Sequence, residues 1–241
     1  MNKILLAIAL AGSAVGCRSV PSTVHGDDAA GAKTASATSD LANAGPVKKN
    51  DEAAAHAVGT DPGHVGHGTP LSPKLQGDEL AVFAAGCFWG VESTFRAVNG
   101  VVATAVGYTG GRTTNPGYED VCTHTTGHAE AVLVEFDPKK VSYAQLLDVF
   151  FKSHDPTQLN AQGPDVGDQY RSAIFTFDDA QTKSAKSIRD AFQKQTTETI
   201  TTLVVPLAPF WVAEGYHQQW HEKNGGGCPT GQSPFGNDEG T

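Results

Sequence analysis

The sequence predicts an α+β fold, a two-layer sandwich built on a mixed β-sheet, with a long irregular tail at its C-terminus. Apolar runs and helical periodicities are interspersed after Glu79 rather than strictly alternating, which disfavours a doubly wound parallel sheet. The chain has 241 residues, 39% apolar and 18% charged, an ordinary composition for one globular domain. The tail from Asn224 to Thr241 is rich in Gly, Pro and polar residues and lacks periodicity.

Short apolar runs bounded by glycine or polar residues predict the strands, and apolar side chains at helical spacing predict the helices. Val91, Phe95 and Val98 give one such helical face, which Asn99-Gly100 closes. A capping box, Ser142 to Gln145, opens another helix. The predicted strands are 80–85, 101–108, 131–136, 172–177 and 200–205, and the predicted helices are 88–98, 142–151, 178–194 and 213–223.

The first seventy-five residues precede this domain and have a different character. Lys3 and the apolar run Ile4 to Val15 predict a signal peptide over residues 1–17, too short to span a bilayer. Ala14 to Cys17 resembles a bacterial lipoprotein processing site, although Ala14 stands where that pattern usually has Leu. Lipidation of Cys17 and ordinary signal cleavage are therefore the alternatives. Residues 18–75 are small and polar and predict a flexible linker, so the catalytic domain is expected at 76–241 in the cell envelope.

Charge and cysteine spacing exclude some functions. The net charge of −9 offers no basic field for nucleic acid. The four cysteines, at 17, 87, 122 and 228, form no C-x-x-C pair, so a structural zinc site is not expected. No dinucleotide fingerprint or P-loop occurs, so no cofactor and no metal are predicted.

Cys87 lies where the first predicted strand ends and the first helix begins. Unpaired N–H groups of a first helical turn, together with the helix dipole, favour a thiolate over a thiol. This position therefore suits a nucleophile, whereas a lone cysteine elsewhere is more often a buried structural residue.

The surrounding motifs resemble those of the peptide-methionine (S)-S-oxide reductases. They occur in the order and at the spacing of that family, from about Leu80 to Cys228, and do not reach the first seventy-five residues. The motifs are Gly86–Glu92 (GCFWGVE), Gly107–Gly111 (GYTGG), Asn115–Tyr118 (NPGY), Gly127–Glu130 (GHAE), His154–Pro156 (HDP), and Asp165 with Gln169–Ser172 (QYRS). The resemblance implies reduction of methionine S-sulfoxide, in proteins and as the free amino acid, on a ferredoxin-like sheet.

The resemblance also implies roles for individual residues. Cys87 is the implied nucleophile and Glu130 the acid that protonates the departing oxygen. Tyr118 and Tyr170 resemble the family's phenols that hydrogen-bond the sulfoxide oxygen, and Asp165 resembles the carboxylate beside them. Without the motifs, each of these side chains would be interpreted as ordinary packing or as a surface polar group.

Phe88 and Trp89 are expected to form the apolar wall that accepts the substrate's methyl group, and they also suit plain core packing. The resemblance implies that Cys228, after Gly225-Gly226-Gly227, resolves the sulfenic acid into a disulfide. Its local sequence departs from the family, since Pro229-Thr230 follows and no second tail thiol exists. Cys122 is predicted to be packed and inessential.

The implied partners are oxidised proteins, methionine sulfoxide and a thioredoxin-like reductant, with membrane contact only through a lipid anchor. Two alternatives remain open at the sequence level. One is a thiol peroxidase, which also passes through a sulfenic acid. The other is an envelope protein in which Cys87 and Cys228 form a permanent structural disulfide.

Overall fold

The computed structural model describes residues 71–73, 75–225 and 235. The predicted signal peptide, most of the predicted linker, Cys17 and Cys228 lie outside these residues, as does all of the predicted tail beyond Gly225 except Phe235. Within them, no helix is long and apolar enough to cross a membrane.

Eight strands and five helices are found in the described residues. In chain order they are β1 (Glu79–Ala85), α1 (Phe88–Arg96), β2 (Val101–Thr109), α2 (Tyr118–Cys122), β3 (Ala129–Phe136), α3 (Tyr143–Ser153), β4 (Ala161–Gln162), β5 (Asp165–Val166), β6 (Ser172–Thr176), α4 (Asp179–Gln193), β7 (Leu203–Pro206), β8 (Trp211–Val212) and α5 (Trp220–Asn224).

The main sheet has the strand order β7-β6-β1-β3-β2-β8. The four central strands, β6, β1, β3 and β2, pair antiparallel, whereas β7 pairs parallel with β6. The sheet is therefore mixed, and the predicted α+β class with a mixed sheet is confirmed. Strands β4 and β5 form a separate small hairpin.

Each face of the sheet buries its own apolar cluster. Helices α1, α3 and α4 contribute to the larger cluster, in which Phe83 stacks on Phe95 with ring centroids 4.7 Å apart. The opposite face carries a smaller cluster around Phe175 and Phe210, covered by irregular segments. Because strand side chains alternate between faces, β1 supplies both clusters and is buried on both sides.

Several sequence predictions need correction. The predicted helix 213–223 is wrong, because only Trp220–Asn224 is helical and Gln219 adopts a left-handed conformation with φ 50°. The last predicted strand begins at Leu203 rather than Ile200. Helix α2 and strands β4, β5 and β8 were not predicted, since each has five residues or fewer and too little length to show a period.

Candidate active site

Cys87 is the N-cap residue of α1, directly after β1. The turn depends on Gly86, which has φ +100° and whose added Cβ would lie 2.7 Å from the Gln162 side chain. Glycine is thus required both for the backbone conformation and for the close approach. Cys87 is half-buried and is not disulfide-bonded. The residue therefore stands at the junction of β1 and α1, and its side chain makes no capping hydrogen bond to the first helical turn.

Glu130 lies near the start of β3, where the register places it opposite Tyr108 of β2. Its side chain is buried, with 2% of its surface exposed. Its Oε2 accepts a hydrogen bond from the Phe88 backbone N–H at 3.0 Å. The carboxyl group is therefore held at the N-terminus of α1, one residue from the thiol.

The phenols of Tyr118 and Tyr170 lie near each other, close to Glu130 and Cys87. Tyr118 is the first residue of α2, and Tyr170 ends a short 3₁₀ turn at Asp168–Tyr170. Burial raises the pKa of both phenols well above the usual value, and nearby charges on Glu130 and Cys87 raise it further. Both groups therefore remain protonated at physiological pH and can donate hydrogen bonds.

Asp165 is half-buried in β5, opposite Gln162 in the hairpin. Burial raises its pKa, and its charge in turn raises the pKa of Tyr118 and Tyr170. The hairpin thus places a carboxyl group at the edge of the phenol pair.

Phe88 and Trp89 form an aromatic wall with Trp220. Phe88 is fully buried, while Trp89 is half-buried and stacks on Trp220 with ring centroids 4.5 Å apart. Phe88 also contacts Tyr108 at a centroid distance of 5.9 Å. The aromatic wall therefore extends from α1 to α5 in the C-terminal segment.

The sequence did not predict His217 and Glu214, which complete this wall. The His217 Nδ1 accepts a hydrogen bond from the Trp89 indole Nε1 at 3.0 Å, and its ring centroid lies 4.4 Å from that of Tyr118. Glu214 accepts from the Tyr118 backbone N–H at 2.8 Å and from the Tyr108 hydroxyl at 3.0 Å. The C-terminal segment therefore fixes the position of both Trp89 and Tyr118.

Gln218 and Gln219 attach this segment to the sheet and to α1. The Gln218 amide accepts from the Val106 N–H at 2.8 Å and donates to the Val106 carbonyl at 2.9 Å, as a neighbouring strand would. Gln219 donates its backbone N–H to Glu92 Oε2 at 2.7 Å and its amide to Glu92 Oε1 at 2.9 Å. The run His217-Gln218-Gln219, three polar residues between aromatics, was the only signal for this segment in the sequence.

The two described cysteines differ in state. Cys122, at the end of α2, is half-buried against the core and is disulfide-bonded, so the prediction of a merely packed thiol is incomplete. Cys87 is not disulfide-bonded, so it is not the partner of Cys122, and the structure does not hold it in a structural disulfide. Cys228 lies outside the described residues. Among those that are described, no group of three or more His, Cys, Asp or Glu could hold a metal ion.

The arrangement combines a nucleophile, an acid and two hydrogen-bond donors beside an aromatic wall. A thiolate at the helix N-terminus can attack an electrophilic atom, and the phenols can hydrogen-bond an oxygen attached to it. A carboxyl group so removed from water can hold a proton and deliver it to that oxygen. An apolar substituent of the substrate fits against the ring faces.

Comparison with known proteins supports the same chemistry. Residues 79–236 match the family model described as peptide methionine sulfoxide reductase. The chain is 57% identical over 152 residues to a peptide methionine sulfoxide reductase MsrA of Methanosarcina acetivorans, covering 62% of this chain and 81% of the relative. It is 50% identical over 169 residues to MsrA 1 of Synechocystis, covering 68% of this chain and 76% of the relative.

Solved structures agree in fold. The methionine sulfoxide reductase A of Corynebacterium diphtheriae superposes with a TM-score of 0.63 at 35% identity, covering 76% of this chain and 94% of that one. Reduced Mxr1 of Saccharomyces cerevisiae gives 0.60 at 37% identity, covering 66% and 90%. The chain belongs to the peptide methionine sulfoxide reductase family of oxidoreductases.

Proposed function

We propose that this chain reduces methionine S-sulfoxide, in oxidised proteins and as the free amino acid, with Cys87 as the nucleophile. One observation carries the proposal. Cys87, which is not disulfide-bonded, is the N-cap residue of α1, next to the buried carboxyl of Glu130 and the protonated phenols of Tyr118 and Tyr170.

The first half of the reaction transfers oxygen. The Cys87 thiolate attacks the sulfoxide sulfur, while the two phenols hydrogen-bond the oxygen and Glu130 supplies a proton to it. A bond forms between Cys87 and the substrate sulfur, the sulfur–oxygen bond breaks, and the protonated oxygen passes to Cys87. The bond between the two sulfur atoms then breaks, so that Cys87 is left as a sulfenic acid and the thioether leaves reduced. Phe88 and Trp89 accept the methyl group, and Asp165 stands beside the phenols.

The second half restores the thiol. The Cys228 thiol attacks the sulfenic acid, so that a Cys87–Cys228 disulfide forms and water leaves. A thioredoxin-like dithiol then reduces this disulfide and is itself oxidised. Cys122 is disulfide-bonded in the structure. Once that disulfide is reduced, its thiol would compete with Cys228 for the sulfenic acid, and the test below therefore includes it.

The nucleophile is tested by Cys87→Ser. We expect this variant to lose turnover of a methionine S-sulfoxide peptide even with abundant dithiothreitol, because dithiothreitol replaces only the resolving step and the attack on the sulfoxide sulfur needs the Cys87 thiolate. Residual turnover above a small percentage of wild type, in a folded variant, would contradict the assignment.

The resolving thiol is tested by comparing Cys228→Ser with Cys122→Ser. Cys228→Ser should release about one equivalent of reduced product in a single turnover and then stop with a sulfenic acid on Cys87. Dithiothreitol should sustain its cycling, whereas thioredoxin, which reacts readily with a disulfide, should not. If thioredoxin-driven cycling is unchanged in Cys228→Ser but lost in Cys122→Ser, Cys122 is the resolving residue.

Two finer proposals concern location and fold. The basic start and apolar run before Cys17 support export to the cell envelope, with a lipid anchor on Cys17. Membrane fractionation of wild type and Cys17→Ala tests this, since only a lipidated chain should partition with membranes.

The antiparallel order β6-β1-β3-β2 supports a ferredoxin-like core for the sheet.

A further inference from the structure

The hydrogen bond from Trp89 determines which ring nitrogen of His217 carries the proton. An indole N–H only donates, so the His217 Nδ1 that receives it from Trp89 at 3.0 Å must be unprotonated. The neutral ring therefore carries its proton on Nε2. That atom is buried and has no hydrogen-bond partner among the described residues, and Glu214 Oε2 lies 3.8 Å from it.

Burial keeps His217 neutral. The ring is 1% exposed and is enclosed by Phe88, Trp89, Tyr118 and Tyr216. This desolvation lowers the pKa of His217 to about 4, although the charge of Glu214 opposes the shift. At neutral pH the His217 imidazole is therefore neutral, and its Nδ1 accepts the hydrogen bond from the Trp89 indole.

The hydrogen bond between Trp89 and His217 fixes the plane of the Trp89 indole. Without it, Trp89 would keep its ring contact with Phe88 and its stacking on Trp220, and stacking tolerates rotation and sliding of the ring. The Gln218 and Gln219 contacts, in turn, hold His217 against α1. The hydrogen bond to His217 is therefore the contact that sets the direction of the half-buried Trp89 indole N–H.

We propose that neutral His217 is a positioning residue, which orients the Trp89 indole as the wall that receives the substrate's methyl group. This inference rests on the proposed function. His217 acts on substrate binding through Trp89 and takes no part in the transfer of oxygen or protons.

Acid should disturb this arrangement, because a protonated His217 has no acceptor left for the indole. The titratable and charged groups around it are those of each packed element. Tyr118 of α2 and Tyr216 of the C-terminal segment contact the ring, and Glu214 of the same segment acts on it through its charge. Of these, Glu214 faces the Nε2 atom and would pair with the protonated ring.

The test compares two substitutions of one residue. His217→Leu removes the acceptor, while His217→Asn keeps a carbonyl oxygen near the position of Nδ1. With dithiothreitol at neutral pH, His217→Leu should raise KM for a methionine S-sulfoxide peptide about 3–10-fold, the effect of one hydrogen bond, with kcat within about twofold. His217→Asn should restore most of the KM. In a Trp89→Phe background, His217→Leu should add nothing further.

A second readout does not depend on activity. The Trp89 indole proton, followed by NMR, should shift upfield in His217→Leu and stay near its wild-type position in His217→Asn. In wild type it should also move as His217 takes up a proton in acid, and this titration should vanish in His217→Asn. An unchanged indole shift in His217→Leu, or an equal KM increase with and without Trp89, would overturn the proposal. If His217→Leu does not fold, the acid titration of wild type against His217→Asn decides it. Absence of wild-type turnover would count against the proposed function instead.

Discussion

The hydrogen bond that Glu130 accepts sets the orientation of its carboxyl group. Glu130 uses Oε2 to accept from the Phe88 N–H, which points the carboxyl group at the N-terminus of α1, next to Cys87. Because the side chain is 2% exposed, water does not compete for it. This geometry suits a group that delivers a proton to the sulfoxide oxygen as that oxygen passes from the substrate sulfur to Cys87.

We therefore expect Glu130→Gln to slow the oxygen-transfer step by about 10²–10⁴-fold, the usual effect of removing a positioned acid. Gln keeps an acceptor for Phe88, so the fold should be retained. Single-turnover release of methionine from the sulfoxide peptide measures the step. The exposed Glu119→Gln, on α2, is the matched control and should behave as wild type.

The sequence identified the pocket residues that belong to recognisable motifs. Cys87 could also be argued from its position between a strand and a helix, without any resemblance. His217 and Glu214 could not be predicted, because their effect depends on Trp89 and Tyr118, which lie about a hundred or more positions earlier in the chain. A polar residue between aromatics gives no indication of such a distant partner.

At the scale of elements, the β1–α1 turn is the most demanding feature. We expect Gly86→Ala to destabilise the protein by about 1–3 kcal/mol, because alanine disfavours φ +100° and its Cβ meets Gln162 at 2.7 Å. Turnover should fall as well, since the turn aims Cys87. Chemical denaturation and peptide turnover measure the two effects.

Gly215→Ala is the control for that substitution. An added Cβ at Gly215 meets no atom within 4 Å. Stability should therefore change little. Equal destabilisation by both substitutions would mean that the Gly86 turn is not under the constraint described.

Elements with strong local signals were predictable, and those held by distant contacts were not. The capping box at Ser142 is present, with its Oγ accepting from the Gln145 N–H at 3.3 Å, and α3 begins at Tyr143 as expected. The helix predicted at 213–223 fails, because Gln218 pairs with the backbone of β2 and Gln219 with Glu92. These tertiary hydrogen bonds replace the helical ones.

The stability of the whole molecule should depend on pH through His154. This side chain is fully buried, between the Phe150 carbonyl at 2.8 Å and the Ser172 hydroxyl at 2.7 Å. Burial lowers the pKa of His154 to about 4 from 6.5. The unfolded chain binds this proton first, so its stabilising contribution is complete above about pH 6.5 and is lost as pH falls toward 4.

Urea unfolding of wild type and His154→Gln at several pH values measures that contribution. Other groups complicate the wild-type curve alone, since burial raises the pKa of Glu92 and Asp165 and gives the opposite sign. The difference between the two proteins isolates His154. We expect this difference to shrink between about pH 6.5 and 4, and a constant difference would show that His154 is not neutral in the fold.

The hydrogen bond from Trp89 to His217 spans 128 positions of the chain, and that from Gln219 to Glu92 spans 127. Helix α1 is synthesised before the segment that completes the pocket wall. A nascent chain that ends before Glu214 can pair β1, β3 and β2, but it lacks the partners that fix Trp89 and Tyr118. The wall of the pocket can therefore form only after the segment that carries Glu214 and His217 has been synthesised.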